Sequence, residues 1–538
     1  MDAKSYMTLS CIPYHETQTL PKLIEAVMDE NPALASFYQA SATLDNLVVQ
    51  MASKGETFSV QTRAILADCL TAQYRHLNPG ELTSSQIEAL KNPNTFTITT
   101  GHQLNLMGGP MYFLYKIISV INLSKILNDR HPNHKYVPVF WMASEDHDFD
   151  EVNHFHFGEH CLEWQRQSQG PVGRLSTTEL NKLFDKFSAH LERDEHSKAL
   201  IEMFQNSYLN QHNLADATRA LVHQLFGEDG LIVVDGDDLK LKRLFKPTMI
   251  QELKEQIIFG KVTTTNQALK RVNPNFKIQV NPRSLNLFYI TNDIRERIEI
   301  NGGSYRVLNT DLSWNLEGIL KELEDHPERF SPNVLMRPLY QETVLPNLCY
   351  VGGGGELSYW LQLKSCFETF KLNFPLLLHR NSAIVLSKKQ QQNLRKSNLS
   401  LQDLFLSPED LTTRIVKTQS NLIDFSKEKQ YLKQQFENLY NIAKQTDTSF
   451  LGAVAAQEKK QIKGLANLEK RLLKAEKRKH KTQIEAALSL QSELFPNVDL
   501  QERVINFSFF YNLYGESFIH KLKSELDPFN KGFAVISL

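Results

Sequence analysis

The sequence predicts an α/β fold, a parallel sheet flanked by helices, followed by an antiparallel α-helical coiled coil. Three observations lead there. A strand, a glycine-rich turn, a helix and a second strand run in unbroken succession from Phe96 to Ala143. Further short apolar runs recur at GLIVVD (230–235) and PLLL (375–378). Beyond Ser387 the apolar spacing changes to threes and fours.

The first strand, Phe96 to Thr100 (FTITT), is short and β-branched. The turn from Gly101 to Pro110 leads into a helix that sets Phe113, Ile117, Val120, Ile121 and Leu127 mainly on one face, with Pro110 where the first turn begins. Tyr136 to Ala143 is the second buried strand, and SEDHDFDEVNH (144–154) follows at its carboxyl end. This is a β-α-β crossover. Helix N-termini carry unpaired amides and a partial positive charge, and a glycine turn lets an anion approach them. Ligands of open α/β sheets sit outside the carboxyl ends of the strands. The turn, with Gly101, His102, Gly108 and Gly109, and the acid/histidine loop are therefore expected to line one pocket able to hold a phosphate or carboxylate.

Residues 1–90 read as short helices packed on the core, and about 155–228 as a mostly helical insert. GLIVVD ends in Asp235-Gly236-Asp237-Asp238, expected to be a solvated turn that caps the next helix. From Lys277 to Val307 the period changes to two, with KIQV, NLFYI, RERIEI and SYRVL as strands of an antiparallel insert within about 270–310. The core resumes at Arg337 and Gln341, then Gly352, Gly353, Gly354 and Gly355 precede Glu356, which opens a helix carrying Trp360. Four consecutive glycines are costly to order, which favours a loop that faces a ligand. His379 and Arg380 stand at the exit of PLLL.

The core is assigned to 1–386 and the arm to 387–495. In the arm, Leu432, Phe436, Leu439 and Ala443 form one seam and Leu465, Leu468, Leu472 and Ala475 a second. About forty residues would make the second helix on the order of 60 Å long. The aromatic tail, 496–538, is expected to return to the core.

A formal net charge of -1, from 60 basic and 61 acidic residues, demands neither nucleic acid nor an acidic membrane. The N-terminus has no long apolar run behind a basic start, and five scattered cysteines fit a reducing cytoplasm. Glu145, Asp146, His147, Asp148 and His154 offer donors for a metal, but there is no H-E-x-x-H helix and no cysteine ligand set, so an acid/base and hydrogen-bonding role is expected and no metal site.

TGHQLNLMGGPMYFLYK, PVFWMASEDHDFDEVNH, RPLYQETVLPNLCYVGGGGELSYWLQLK and QERVINFSFFYNLYG together resemble the bacillithiol biosynthesis cysteine ligases, the BshC family, over nearly the whole chain. The resemblance implies a Rossmann-like core with connecting-peptide inserts, a coiled coil that makes a homodimer, and addition of cysteine to glucosaminyl-malate in the cytoplasm. A carboxylate is a poor electrophile at neutral pH, so ATP is expected to activate cysteine as an adenylate, with magnesium only as the nucleotide's companion. His102 would then donate to the α-phosphate, Asp146 or His147 would take the amine's proton, and Arg337 and Arg380 would pair with carboxylates or phosphate. Gln103, Glu145, Asp148, His154, Gln341, Gly352, Gly353, Gly355, Glu356 and Trp360 complete the expected binding set. The literal lysine-serine-lysine loop of adenylate-forming enzymes is missing, Leu386-Ser387-Lys388-Lys389 being the nearest string. The rivals are a metal-dependent amidase or transferase, and a coiled-coil scaffold that contacts nucleic acid through the basic residues from Lys470 to Lys481.

Overall fold

A computed structural model of the chain describes residues 11–419 and 425–538. The reading of the extreme N-terminus falls for residues 1–10 outside the described residues, as do 420–424 of the expected arm. The chain divides into two compact units, one built chiefly from residues 19–384 and 501–536, the other from residues 385–500. Among the described residues no helix is long and apolar enough to cross a membrane.

The first unit is organised on five parallel strands, β1 (Thr95–His102), β2 (Lys135–Met142), β3 (Ile232–Asp235), β4 (Asn347–Gly352) and β5 (Leu376–His379), in the order β5-β4-β1-β2-β3. β1 and β2 pair from Thr95↔Lys135 to His102↔Met142, and both are buried nearly throughout, as strands covered on two faces must be. Helix Tyr112–Arg130 makes the crossover and buries Phe113, Ile117, Val120 and Leu127, together with one charge, Lys116. The strand order reverses between β1 and β4. A crevice opens at such a switch point, at the carboxyl ends of the strands.

The antiparallel insert runs Ser313–Trp314, Ser304–Val307, Arg295–Asn301, Leu287–Ile290 and Phe330–Pro332 in spatial order. Gly302 and Gly303, at φ 58° and 83°, make its tight turn. KIQV is not a strand, contrary to its alternation; residues 277–280 run irregularly, and Val280 lines the crevice. The turn after β3 also differs from expectation. Asp238 caps helix Leu239–Glu255, but the Asp237 side chain is 8% exposed, accepting from Arg174 at 2.6 Å and Lys242 at 2.8 Å, and Asp235 accepts from Ser144. The neighbouring insert supplies partners that replace solvent.

In the second unit Ser387 caps helix Lys388–Lys396, so the Leu386–Lys389 string is a helix start. Helices Ser426–Thr446 and Leu451–Lys479 form a hairpin tied by Lys429–Glu469 at 2.6 Å and Tyr440–Glu458 at 2.8 Å. Phe436, Ala443 and Val454 are its buried centre, flanked by Leu432, Tyr440 and Leu451. Leu439 and Leu468, expected in the seams, are 43% and 54% exposed. Tyr440 takes the place of Leu439 because its ring reaches the partner helix and its hydroxyl still finds Glu458. The second helix breaks at His480 after 29 residues, about 44 Å, before Lys481–Leu494 resumes.

Candidate active site

A cavity of about 840 Å³ occupies the crevice at the switch point. It receives Gly101, His102 and Gln103 from the end of β1, Glu145, Asp146 and His147 from the loop after β2, and Gly353, Gly355 and Glu356 from the loop after β4. Arg337 enters from helix Arg337–Val344, and Arg295 and Arg297 from the antiparallel insert.

Gly101 fits closely: a Cβ there would stand 3.2 Å from the Tyr350 hydroxyl and 3.4 Å from Arg337 Nη1, so a larger residue would push these side chains aside by a few tenths of an ångström. Its carbonyl accepts from Lys116 Nζ at 2.8 Å, and the same ammonium pairs with Glu356 at 2.5 Å. Glu356 also accepts the Gly353 amide at 2.9 Å and the Tyr350 hydroxyl at 2.8 Å. Burial alone would raise the Glu356 carboxyl, but Lys116 and these donors hold it below its ordinary range. Glu356 is thus the counter-ion that builds the floor.

Arg337 is differently placed. It donates to Gln341 Oε1 at 3.2 Å and to the Tyr359 and Tyr350 hydroxyls at 3.2 and 3.5 Å, all neutral groups. Among the described residues no carboxylate lies within ion-pair distance of it. The Glu356 carboxylate acts on this half-buried guanidinium only from beyond ion-pair distance, which leaves Arg337 able to receive an anion. Arg380, expected in the same role, is committed elsewhere: its guanidinium donates to Glu502 at 2.8 Å, the Asn381 carbonyl at 2.7 Å and Ser382 at 3.0 Å. It borders the cavity, but the pair with Glu502 uses its charge.

Burial would raise the Asp146 carboxyl, yet the His147 ring at 3.4 Å, then Arg295 at 3.2 Å, Gln103 at 3.1 Å and the His147 backbone N–H at 2.8 Å, drive it well below the usual carboxylate range. So stabilised an anion is a weak base, which argues against Asp146 as proton acceptor. Glu145 contrasts with it. Burial raises its carboxyl although Lys242 stands at 2.8 Å.

The His102 ring packs against Tyr112 and Phe113, each at 5.3 Å between centroids, and its Nε2 is buried without a partner. Burial, then the charges of Lys116 and Arg380, keep its pKa well below the ordinary value. It is therefore a neutral imidazole, able to donate a hydrogen bond but not to carry charge.

Several expected residues are absent from the cavity wall. Gly108 and Gly109 adopt φ of 73° and 65° and turn away, their places against Phe113 and Asn105 leaving no room for a Cβ. Asn506 clasps this turn by donating to the Met107 carbonyl at 2.7 Å and to the Gly109 carbonyl. They shape a turn, not a phosphate cradle. Asp148 caps the short helix Phe149–Val152, and His154 lies on a hairpin strand beside His156, 5.8 Å between rings. Gln341, Gly352 and Trp360 stand behind the wall; Trp360 stacks on Tyr350 at 4.4 Å. Among the described residues no group of three or more His, Cys, Asp or Glu is placed to hold a metal ion.

Lys116, Arg295, Arg297, Tyr350 and Tyr359 escaped sequence reasoning. Lys116 had a signal, the single charge inside the apolar run YFLYKIISVI. Arg295 had none, since RERIEI reads as an ordinary amphipathic strand.

A parallel sheet with an arginine-lined cavity at its switch point defines a Rossmann-type α/β protein. Residues 7–381 match the family domain described as "Bacillithiol biosynthesis BshC, N-terminal Rossmann-like domain", and 383–538 that described as "Bacillithiol biosynthesis BshC, C-terminal coiled-coil domain". Proteins named "Putative cysteine ligase BshC" are similar along their whole length. The one from Christiangramia forsetii is 47% identical over 536 residues, 99% of each chain. That from Flavobacterium johnsoniae is 47% identical over 533 residues, 99% of this chain and 100% of its own, and that from Geobacillus kaustophilus 30% over 522, 93% and 94%. The chain belongs to the BshC family, as its motifs had suggested.

Proposed function

We propose that this chain is a ligase of bacillithiol biosynthesis that joins the carboxylate of L-cysteine to the amine of glucosaminyl-malate, with ATP consumed as a substrate. The observation that carries this reading is Arg337, a cation without a carboxylate partner that faces the cavity shared by His102, Glu145 and His147. It suits the malate carboxylates. Arg283 and Arg297, on the same cavity and with guanidinium groups that make no hydrogen bond or ion pair among the described residues, extend the anion-binding surface toward phosphate. A volume of about 840 Å³ is in the range of cofactor and substrate sites. At Gly355 only Gln279, at 3.7 Å, stands near a would-be Cβ, so the backbone is open to a ligand.

In the first step a cysteine carboxylate oxygen attacks the α-phosphorus of ATP and pyrophosphate leaves. His102 donates its ring N–H toward the phosphoryl oxygens. In the second, the sugar amine attacks the carbonyl carbon, AMP leaves, and the amine's proton passes to Glu145, whose burial makes it a better acceptor than Asp146 near neutral pH. Magnesium accompanies the nucleotide. Leu439, Ile442, Ile462 and Leu468, left exposed on the helical hairpin, favour a homodimer through the arm.

Purified protein given ATP, cysteine and glucosaminyl-malate should release one pyrophosphate and one AMP per amide formed. Product with ADP and phosphate would replace the adenylate by an acyl phosphate, and product with no nucleotide turnover would refute activation by ATP.

A further inference from the structure

His147 and Arg295 come from distant parts of the chain and meet at the cavity wall. Arg295 Nη1 lies 2.8 Å from His147 Nδ1 and 3.2 Å from Asp146 Oδ1, while Nη2 donates to the Pro332 carbonyl at 3.4 Å. The guanidinium is held over the Phe288 ring at 4.0 Å, and its side chain is 9% exposed. The His147 ring lies 5.8 Å from the same phenyl ring. A guanidinium has only donors, so the nitrogen it touches must be an acceptor. The competing arrangement, Nδ1–H donating to Asp146 Oδ1, spans a longer 3.4 Å. The ring proton therefore belongs on Nε2, and the His147 side chain, 49% exposed, lines the cavity.

We propose that Arg295 is a positioning residue that fixes His147 as the Nε2–H tautomer, and that His147 serves as a hydrogen-bond donor to a substrate oxygen gaining negative charge, not as acceptor of the amine's proton. The second half rests on the function proposed above. The first is a property of the free protein. One residue thereby sets both groups of the acid/histidine loop, Asp146 as ionised acceptor and His147 as donor.

The test uses the full chain labelled with 15N-histidine, without substrates, and two-bond proton–nitrogen correlation. The signal that vanishes in His147→Gln is expected to show a pyridine-like Nδ1 and a pyrrole-like Nε2; the reverse pattern overturns the proposal. Arg295→Lys should retain the pattern and Arg295→Gln should lose it, and an unchanged pattern in Arg295→Gln removes the role of Arg295. In turnover, His147→Gln, whose amide reaches the place of Nε2, is expected to stay within about tenfold of the parent, with His147→Ala slower by on the order of 100-fold. Equal loss in both overturns the donor role. If no variant and no parent forms product, the function proposed above fails, and the nitrogen spectra still decide the tautomer.

Discussion

In GHQLNLMGGP the paired glycines, Gly108 and Gly109, need positive φ and would bring a Cβ to 2.7 Å from Phe113 and 2.6 Å from Asn105. In VGGGGE, Gly353 and Gly355 keep ordinary φ, and the nearest atoms to a Cβ are Arg380 Nε at 3.6 Å and Gln279 Nε2 at 3.7 Å. The paired glycines of the first stretch are set by backbone handedness and packing; in the second, Gly352 and Gly354 are packed as well, a Cβ meeting Leu357 and Tyr350 at 3.0 Å and Pro21 at 2.7 Å, whereas Gly353 and Gly355 leave open space beside the cavity. Composition does not separate these causes: both stretches reach the cavity, the first through Gly101, His102, Gln103 and Pro110, but Gly353 and Gly355 line it and Gly108 and Gly109 do not.

The comparison breaks most readily at Gly109. Gly109→Ala adds backbone strain to overlap with Asn105 and should cost roughly 2–5 kcal/mol of stability, read from urea unfolding. A cost under about 0.5 kcal/mol would erase the distinction. Gly355→Ala should do the opposite, leaving stability within about 0.5 kcal/mol while raising the KM for glucosaminyl-malate or ATP several-fold. A destabilised protein with unchanged kinetics would reverse the assignment.

Each stretch also adjoins a histidine held neutral. His379, paired in register with Gly352, is lowered to about 3 by burial, then by Arg380 and Arg503, and His102 is lowered likewise. The unfolded chain takes up these protons below about 6.5 while the folded one resists. Stability is thus fully present above about pH 6.5 and lost as pH falls toward 3. The urea midpoint should drop between pH 7 and pH 5, and His379→Gln should show a shallower fall; an equal slope would remove His379 as a cause.

The β-α-β unit was legible because its strands are apolar, its helix is periodic and its turn carries glycine and proline. GLIVVD and PLLL were legible for the same reason. The site was legible only where a loop leaves a strand of that sheet, as at His102, Asp146, His147 and Gly353. Arg380 was misjudged because its partner, Glu502, lies 122 positions away, and Arg295 was missed because its role appears only when the insert folds over the acid/histidine loop. The arm's seam slipped from Leu439 to Tyr440 because a tyrosine bonded to Glu458 can cover apolar surface as well as leucine does.

The most direct test of the cavity as the place where the substrates meet is calorimetric titration of glucosaminyl-malate into the parent and into Arg337→Gln, with unfolding midpoints measured alongside. An affinity at least tenfold weaker in a variant of unchanged fold is the result predicted from a charge-assisted pair at Arg337. Equal affinity in the two proteins would contradict it.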